Sequence, residues 1–454
     1  MDKNKKKNYT VPFIVITGLF FMWGFMTCMN DILIPYLKNI FELSHFEAML
    51  VQFAFFGAYF IGSIIYFIIS AKSGDPINRI GYKNGILLGL LLSAIGSAMF
   101  YPAASLVSYG FFLSALFIMG LGFTLLQIAA NPYVAILGKE DTASSRLNLS
   151  QGFNSLGTTL APLLGGFLVF KYFAGISGAD SVKIPYLFFT GVFLLLALLI
   201  KISKLPSFYN KSGTEIEKGA GALKYPHLRL GMIAIFMYVG SEVSIGSIMI
   251  SFLGLKEIAG LPEVSASVFV SFYWGGLMIG RFMGAISLSK LDLRKKRILM
   301  KIIPMIAFVV IWSFQGTNIA TIYSIFLVIN FIAFMFGQSL PGRTLMIFAL
   351  IAVALLITAI LNTGQVAMWS IIGIGIFNSI MWSNIFTLSI KGLGKHTGQG
   401  SSLLVMMIVG GAILPVIQGA TADAIGIHYS FVIPIIGYLY IAFFGFKGWK
   451  ITNK

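Results

Sequence analysis

The chain has 454 residues, of which 57% are hydrophobic, 15% aromatic and only 10% charged. A soluble globular domain carries roughly 25% charged residues, so this composition excludes an ordinary soluble protein. The net charge of +17 would suit a nucleic-acid-binding protein, but the basic residues fall between apolar segments along the whole chain. The single cysteine excludes an internal disulfide.

Apolar segments recur from one end of the chain to the other, and each is long enough to cross a bilayer once. They predict an all-α polytopic membrane protein with about fourteen transmembrane helices. The helices are expected at 12–37, 48–70, 84–101, 108–137, 147–171, 184–203, 228–253, 264–289, 297–315, 319–337, 343–361, 366–390, 399–422 and 428–447.

The basic residues predict the orientation of these helices. If the N-terminus is cytoplasmic, 27 of the 32 Lys and Arg fall in cytoplasmic segments and four fall in outer loops. This asymmetry is the positive-inside rule. It predicts that both termini are cytoplasmic, and it assigns the positive charge to topology and anionic lipid rather than to nucleic acid.

The longest polar stretch, 204–227, divides the chain into two parts. We interpret it as a cytoplasmic linker between an N-terminal six-helix bundle, 1–203, and a C-terminal bundle, 228–454. Two related bundles in one chain are typical of a rocker-type transporter with a midplane site between the halves.

An internal repeat supports this division. Residues 55–62 resemble 273–280 at an offset of 218, whereas the Gly157-x4-Pro162 pattern resembles Gly410-x4-Pro415 at an offset of 253. The offset grows by 35 residues, about the length of one helical hairpin. The sequence therefore predicts a 6+6 bundle with an extra two-helix hairpin inserted at about 297–337, and we expect this hairpin to be peripheral.

Two carboxylates, Asp31 and Glu242, fall well inside predicted spans. An intramembrane carboxylate is costly and is by default a functional hypothesis, because it can bind a cation or carry a proton. The alternative for each is a structural hydrogen bond or ion pair inside the bundle. Glu242 also has small neighbours that suit helix packing.

Neutral polar groups accompany these carboxylates in the spans of both halves. Amides offer donors and acceptors without a fixed charge, which suits an uncharged polyhydroxylated ligand such as a sugar, and an aromatic ring can stack on its apolar face. The candidate substrate-binding residues are Asn30, Gln127, Asn131, Gln151, Asn154, Asn378, Asn384, Trp23 and Trp274. The alternatives are interhelical hydrogen bonding for the amides and core or lipid packing for the rings.

The four histidines are scattered over predicted loops and helix ends. No pair has the spacing of metal ligands, so we expect neither a metal site nor a cofactor.

The segment 74–83, GDPINRIGYK, resembles the loop signature of the major facilitator superfamily, with Asn78 at the position that is acidic in that family. The resemblance implies that this loop takes part in the conformational switch. We assign Asn78, Arg79 and Lys83 to the switch, together with Arg281, the basic residue inside a predicted span.

Longer blocks resemble the fucose:proton symporter family, and within it the bacterial glucose/galactose transporter branch. They include WGFMTCMNDILIPYLK, LLQIAANPYVAILG, SRLNLSQGFNSLG and FYWGGLMIGRFMGA. The resemblance places Asp31 on the family's cation-coupling aspartate, and Gln151 and Asn154 on the helix face that borders the sugar site. Gln127 stands where the fucose branch has a second coupling acid, so the N-terminal half cannot use the two-carboxylate scheme of that branch.

Another departure is Trp382-Ser383-Asn384, where the family has Phe-Pro-Thr. Without that proline the helix at 366–390 is expected to lack a kink, and an amide is expected to line that position. The hexose preference is therefore expected to differ from that of the branch.

The resemblance implies a secondary transporter of the bacterial inner membrane that acts as a monomer. We expect Na⁺- or H⁺-coupled uptake of a hexose such as glucose or galactose by alternating access. Fucose, mannose or N-acetylglucosamine transport, and an uncoupled facilitator, remain alternatives. A drug or peptide exporter would need a more apolar site, and an embedded enzyme would need a reactive cluster within the spans.

Overall fold

A computed structural model describes residues 10–73, 76–136, 143–168, 178–203, 205, 221–287, 292–338, 340–393 and 397–450. All regular structure in these ranges is helical. Eleven segments of them are long and apolar enough to cross a membrane, which confirms the all-helical, multi-pass prediction. Most of the predicted linker, 206–220, lies outside the described residues.

In the N-terminal part of the chain, the described residues form six long helices. They are α1 (Thr10–Phe41), α2 (His45–Ser73), α3 (Tyr82–Ala98), α4 (Tyr109–Ile136), α5 (Ala143–Phe167) and α6 (Lys183–Ile202). The start of α2 is fixed by a capping box, because the Ser44 amide donates to Glu47 and the Glu47 amide donates to the Ser44 hydroxyl.

The C-terminal half begins with Pro226 in the first turn of α7, a position where proline sacrifices no helical hydrogen bond. Its long helices are α7 (Pro226–Gly254), α8 (Glu263–Ser287), α9 (Leu293–Gly337), α10 (Pro341–Leu361), α11 (Gly364–Asn378), α12 (Met381–Ile390), α13 (Thr397–Met406), α14 (Gly410–Ile425) and α15 (Val432–Phe443). The pair α11–α12 forms one apolar segment with a break between its helices.

The predicted hairpin is α9, a run of 45 residues interrupted at Gly316, whose φ of 82° is not helical. The arm after Gly316 is deeply packed: the Tyr323 hydroxyl donates to the Phe272 carbonyl at 2.9 Å, and Phe334 packs edge-on against Phe348. The arm before Gly316 is mostly exposed and leaves an apolar cleft of about 430 Å³ beside α5 and α8. Only the first arm is therefore peripheral, because one face of the second arm is buried against α8, α10 and α11.

Equivalent helix crossings recur in the two halves. A methyl group on Gly157 of α5 would overlap the Phe21 carbonyl oxygen of α1, and one on Gly410 of α14 would overlap the Phe236 carbonyl oxygen of α7. In each half a glycine thus lets two helices touch backbone to backbone. The repeat read from the sequence corresponds to a repeated packing contact.

The two halves are joined at the end of the bundle where α1 meets α2. The Asp423 carboxylate of α14 accepts hydrogen bonds from the backbone amides of His45 and Phe46, at 2.9 and 2.8 Å. Nearby, Asn39 donates to Glu263 at 2.7 Å. These contacts, which we name the end latch, hold the halves together on this side.

Candidate functional site

Asp31 lies in α1 at the boundary between the halves and is only 2% exposed. Cys28 (3.5 Å) and Trp274 (3.1 Å) donate to its Oδ2 atom, and Gln52 (3.1 Å) donates to its Oδ1 atom. The Ser247 hydroxyl lies 3.5 Å from Oδ1 and is closer to the Val243 carbonyl oxygen, at 2.7 Å. Gln52 also donates to Ser247 at 2.8 Å. Cys28 and Gln52 belong to one half and Trp274 and Ser247 to the other, so one carboxylate is contacted from both sides.

These contacts suit an ionised carboxylate, which accepts hydrogen bonds and donates none. The ion pairs found within the described residues join Lys183 to Asp180 and Lys295 to Asp292, and neither involves Asp31. Neutral donors from both halves therefore stabilise this buried charge. Neutralisation of Asp31 would weaken the contact between the halves.

Glu242 lies in α7 within a cluster of tyrosines. The Tyr238 hydroxyl, one turn earlier on the same helix, is 2.5 Å from Glu242 Oε1 and 3.2 Å from the Asn378 carbonyl oxygen. The Tyr273 hydroxyl donates to the Glu242 backbone carbonyl at 3.0 Å. Glu242 interacts electrostatically with Arg281 and with Asp31, so the two carboxylates belong to one charged site.

Asn378 is fully buried at the C-terminal end of α11, and its amide is fixed at both atoms. Its Nδ2 donates to the Tyr273 hydroxyl at 2.8 Å, and its Oδ1 accepts from the Tyr438 hydroxyl at 2.7 Å. The expectation that this span lacks a kink is wrong, since the helix breaks between Asn378 and Met381. At this break the Asn378 carbonyl oxygen lies 3.2 Å from the Tyr238 hydroxyl, so a carbonyl at the end of α11 has a partner outside its own helix.

The other predicted amides occupy different surroundings. Asn30 is fully buried, and both of its polar side-chain atoms lack a hydrogen-bond partner among the described residues. Gln127 and Gln151 are half-buried. Asn154 donates to the Phe20 carbonyl at 3.0 Å, which ties α5 to α1. The Asn131 side chain lies outside the described residues.

Asn384 is buried outside this group. Its amide donates to the Pro341 carbonyl at 3.2 Å, a packing contact between α12 and the start of α10. Of the two predicted stacking residues, Trp274 contacts Asp31, whereas Trp23 donates its indole N–H to the Tyr59 hydroxyl at 3.1 Å.

The residues assigned to the conformational switch are divided between two places. Lys83, at the start of α3, donates to the carbonyls of Lys201 and Ser203 at the end of α6, where a cation meets the negative end of a helix. Asn78 and Arg79 lie in a short helix, Pro76–Ile80, and their side chains lie outside the described residues.

Arg281 lies in α8 at the contact between the halves. Its guanidinium donates to the Ser155 hydroxyl and to the Gln151 carbonyl of α5. It therefore connects the charged site to the neighbouring half.

The sequence reasoning missed Gln52, Cys28, Ser247 and Tyr238. Gln52 is an amide in an apolar segment, the signal used for the other amides. Cys28 and Tyr238 are three and four residues from the carboxylates that they contact, the spacing of one helical turn. Ser247 gives no such signal, because its partners Asp31 and Gln52 are remote in sequence.

Comparison with known proteins identifies the fold family. Residues 14–342 match the Major Facilitator Superfamily. The chain belongs to the major facilitator superfamily.

The curated relatives of this major facilitator span nearly its whole length. A protein of Brucella abortus, named a glucose/galactose transporter, is 44% identical over 453 residues, covering 99% of this chain and 97% of the relative. An L-fucose-proton symporter of Escherichia coli is 30% identical over 478 residues, covering 100% of this chain and 96% of the relative.

Solved structures agree with this assignment. An outward-facing structure of the fucose transporter is 30% identical, with a TM-score of 0.66 over 97% of this chain and 99% of the other. An inward-facing bacterial homologue of the human lysosomal transporter Spinster has a TM-score of 0.65 at 14% identity, over 98% of both chains, and shows the shared fold alone.

Proposed function

We propose that this major facilitator takes up a hexose together with a cation by alternating access. The observation that carries the proposal is the buried Asp31, which accepts hydrogen bonds from Gln52 in one half and from Trp274 in the other. A group that neutralises Asp31 weakens these contacts. Cation binding and the relative movement of the halves are thereby linked.

The amides and the named relatives support a hexose as substrate. Asn30 presents two buried polar atoms without a partner in the described chain, and a sugar hydroxyl can both donate to and accept from such an amide. Glucose or galactose is the proposed substrate because the relative with 44% identity is named for these sugars. Fucose, mannose and N-acetylglucosamine are the alternatives within the family.

The proposed cation is a proton. Sodium binds to oxygen atoms, but three of the groups that face Asp31 are the Cys28 S–H, the Gln52 N–H and the Trp274 N–H. A proton needs only the carboxylate itself. The symporter with 30% identity is named for proton coupling, whereas an uncoupled facilitator would leave the buried charge without a role.

We also propose fourteen membrane-spanning helices. Counting α5 and α8 as spans, and α9 as two arms separated at Gly316, extends the eleven apolar segments to that number. The positive-inside asymmetry supports a bacterial inner-membrane location with both termini cytoplasmic. The end latch then lies on the outer face.

Uptake by the purified chain in proteoliposomes tests the proposal. Labelled glucose, galactose, mannose, fucose and N-acetylglucosamine are offered with a pH gradient and a Na⁺ gradient imposed separately. We expect accumulation of glucose or galactose under the pH gradient alone. Uptake of no hexose would refute the substrate class, and accumulation driven only by Na⁺ would refute the proposed cation.

The variant Asp31→Asn tests the coupling residue. It should lose accumulation driven by the pH gradient and keep exchange of labelled for unlabelled sugar, because the sugar site and the movement of the halves remain. Accumulation equal to that of the unmodified chain would remove the role given to Asp31.

A further inference from the structure

The Tyr238 hydroxyl faces two oxygen acceptors but has one proton to donate. Glu242 Oε1 lies 2.5 Å away, and the Asn378 carbonyl oxygen lies 3.2 Å away. The remaining hydroxyls of the cluster are engaged elsewhere, since Tyr273 donates to the Glu242 backbone carbonyl and Tyr438 donates to the Asn378 side chain. The Tyr238 hydroxyl proton can therefore point to either acceptor without movement of any heavy atom.

The charge on Glu242 selects between the two acceptors. When Glu242 is ionised, Tyr238 donates to it and leaves the Asn378 carbonyl. When Glu242 is protonated, its own O–H donates to the Tyr238 oxygen, and the Tyr238 proton turns to the Asn378 carbonyl. No bond of Tyr238 breaks, because the hydroxyl only rotates, and the added proton forms an O–H bond on Glu242.

The charges around Glu242 are consistent with one proton at this site. Arg281 of α8 and Asp31 of α1 interact with it electrostatically, and Tyr238, Tyr273 and Tyr438 are the titratable groups of α7, α8 and α15 that face the cluster. While both carboxylates are ionised, they and the one guanidinium leave one excess negative charge, so a proton taken up by Glu242 lowers the charge buried in the bundle. Cys28, Gln52 and Trp274 already donate to an ionised Asp31.

We propose that Glu242 is a second proton site of the transporter and that Tyr238 conveys its protonation state to the break between α11 and α12. The carbonyl of Asn378 lies at the end of α11, where helical carbonyls lack partners within their own helix. Binding of a proton supplies that carbonyl with a donor and so stabilises the break. This inference rests on the proposed symport. The second acid, Glu242, lies in the C-terminal half, whereas Gln127 lies in the N-terminal half.

Infrared spectroscopy of the full chain in lipid nanodiscs tests the site without transport. A protonated carboxyl has its own C=O stretching band, which shifts when its hydrogen bond is lost. At neutral pH we expect such a band to disappear in Glu242→Gln, to persist in Asp31→Asn and to shift in Tyr238→Phe. The matched control is Tyr440→Phe, which removes a hydroxyl that donates to the Leu230 carbonyl between α15 and α7. The inference would be overturned if the band persisted in Glu242→Gln. It would also be overturned if the band had the same position in Tyr238→Phe as in Tyr440→Phe.

Proteoliposomes then measure the effect on coupling. Glu242→Gln keeps an N–H donor toward Tyr238 but cannot take up a proton, so it should lose accumulation driven by the pH gradient. Tyr238→Phe should lower that accumulation by at least about tenfold, as expected for a lost hydrogen bond to an ionisable group, while Tyr440→Phe stays near the unmodified chain. Unchanged accumulation in both Glu242→Gln and Tyr238→Phe would overturn the inference and leave the symport proposal standing. If the unmodified chain accumulates no hexose, the symport proposal fails, and the infrared bands still decide whether Glu242 holds the proton.

Discussion

Trp274 donates its indole N–H to Asp31 across the boundary between the halves. The substitution Trp274→Phe keeps an aromatic ring there and removes the donor. Because a hydrogen bond to a charged group contributes about 1.5–3 kcal/mol, its loss favours the protonated form of Asp31. We expect the pH midpoint of coupled uptake to rise by about one unit or more, measured in proteoliposomes across a pH series.

Trp312→Phe is the matched control for this prediction. Trp312 lies half-exposed on the first arm of α9 and donates to Thr317, far along the chain from the carboxylates. Its substitution should leave the pH midpoint unchanged. Equal midpoints in Trp274→Phe and the unmodified chain would argue against a direct bond between Trp274 and Asp31 in the working cycle.

At the level of helices, the two glycine crossings should be equally intolerant of a side chain. Gly157→Ala and Gly410→Ala each place a methyl group on a backbone carbonyl of the neighbouring helix, and overpacking of this kind costs about 1–3 kcal/mol. We expect the apparent Tm, followed by size-exclusion chromatography after heating, to fall in both variants.

Gly191 of α6 is the control position for the crossings, because a methyl group there meets no atom within 4 Å. Gly191→Ala should leave the apparent Tm unchanged or raise it, since alanine in a helix is favoured over glycine by about 0.5–1 kcal/mol. An equal fall in Tm for all three variants would show that the crossings are not the cause.

The end latch predicts a change in conformation. The carboxylate of Asp423 caps the N-terminus of α2 from the other half, and loss of such a cap costs about 0.5–2 kcal/mol. Asp423→Ala should shift the population toward a state open at this end, seen as longer distances between spin labels placed on the facing ends of α2 and α14.

Asp292 offers a matched control for the latch, since it caps α9 through the Lys295 amide within one half. Asp292→Ala removes a similar cap without touching the boundary, so the label distances should not change. Unaltered distances in Asp423→Ala would mean that the latch does not hold this end closed.

At the scale of the whole molecule, the second arm of α9 should be indispensable. Asn330 is fully buried and donates to the Ile376 carbonyl of α11, and the ring of Phe326 packs against Gly373. Deletion of 297–337 would expose this surface of α8 and α11, so we expect aggregation on detergent extraction, measured by size-exclusion chromatography. A monodisperse deletion variant that still transports sugar would show that the hairpin is an accessory.

The fourteen-helix topology has its own test at the same scale. An epitope inserted at Gly316, the break in α9, should be reached by a reagent from outside the cell if both arms span the membrane. An epitope fused to the C-terminus should be reached only after permeabilisation. An epitope at Gly316 that is reached only after permeabilisation would contradict the proposed topology.

Several features could be predicted from local chemistry. The spans follow from apolar runs of about one bilayer thickness. Asp31 and Glu242 could be singled out because charge is scarce in such runs. The repeated glycine and proline spacing in α5 and α14 indicated a packing contact common to both helices. Each of these signals lies within one segment, so no knowledge of neighbouring helices is needed.

The tertiary structure decided which polar groups meet. Gln52, Ser247 and Trp274 reach Asp31 from three other helices, and Tyr238 reaches the carbonyl of Asn378 at a distance of 140 residues along the chain. At the break between α11 and α12, likewise, the tyrosines that contact Asn378 come from other helices. Apolar length and charge scarcity are properties of a segment and can be read from it, whereas a hydrogen bond between remote helices exists only after packing has set their separation and rotation.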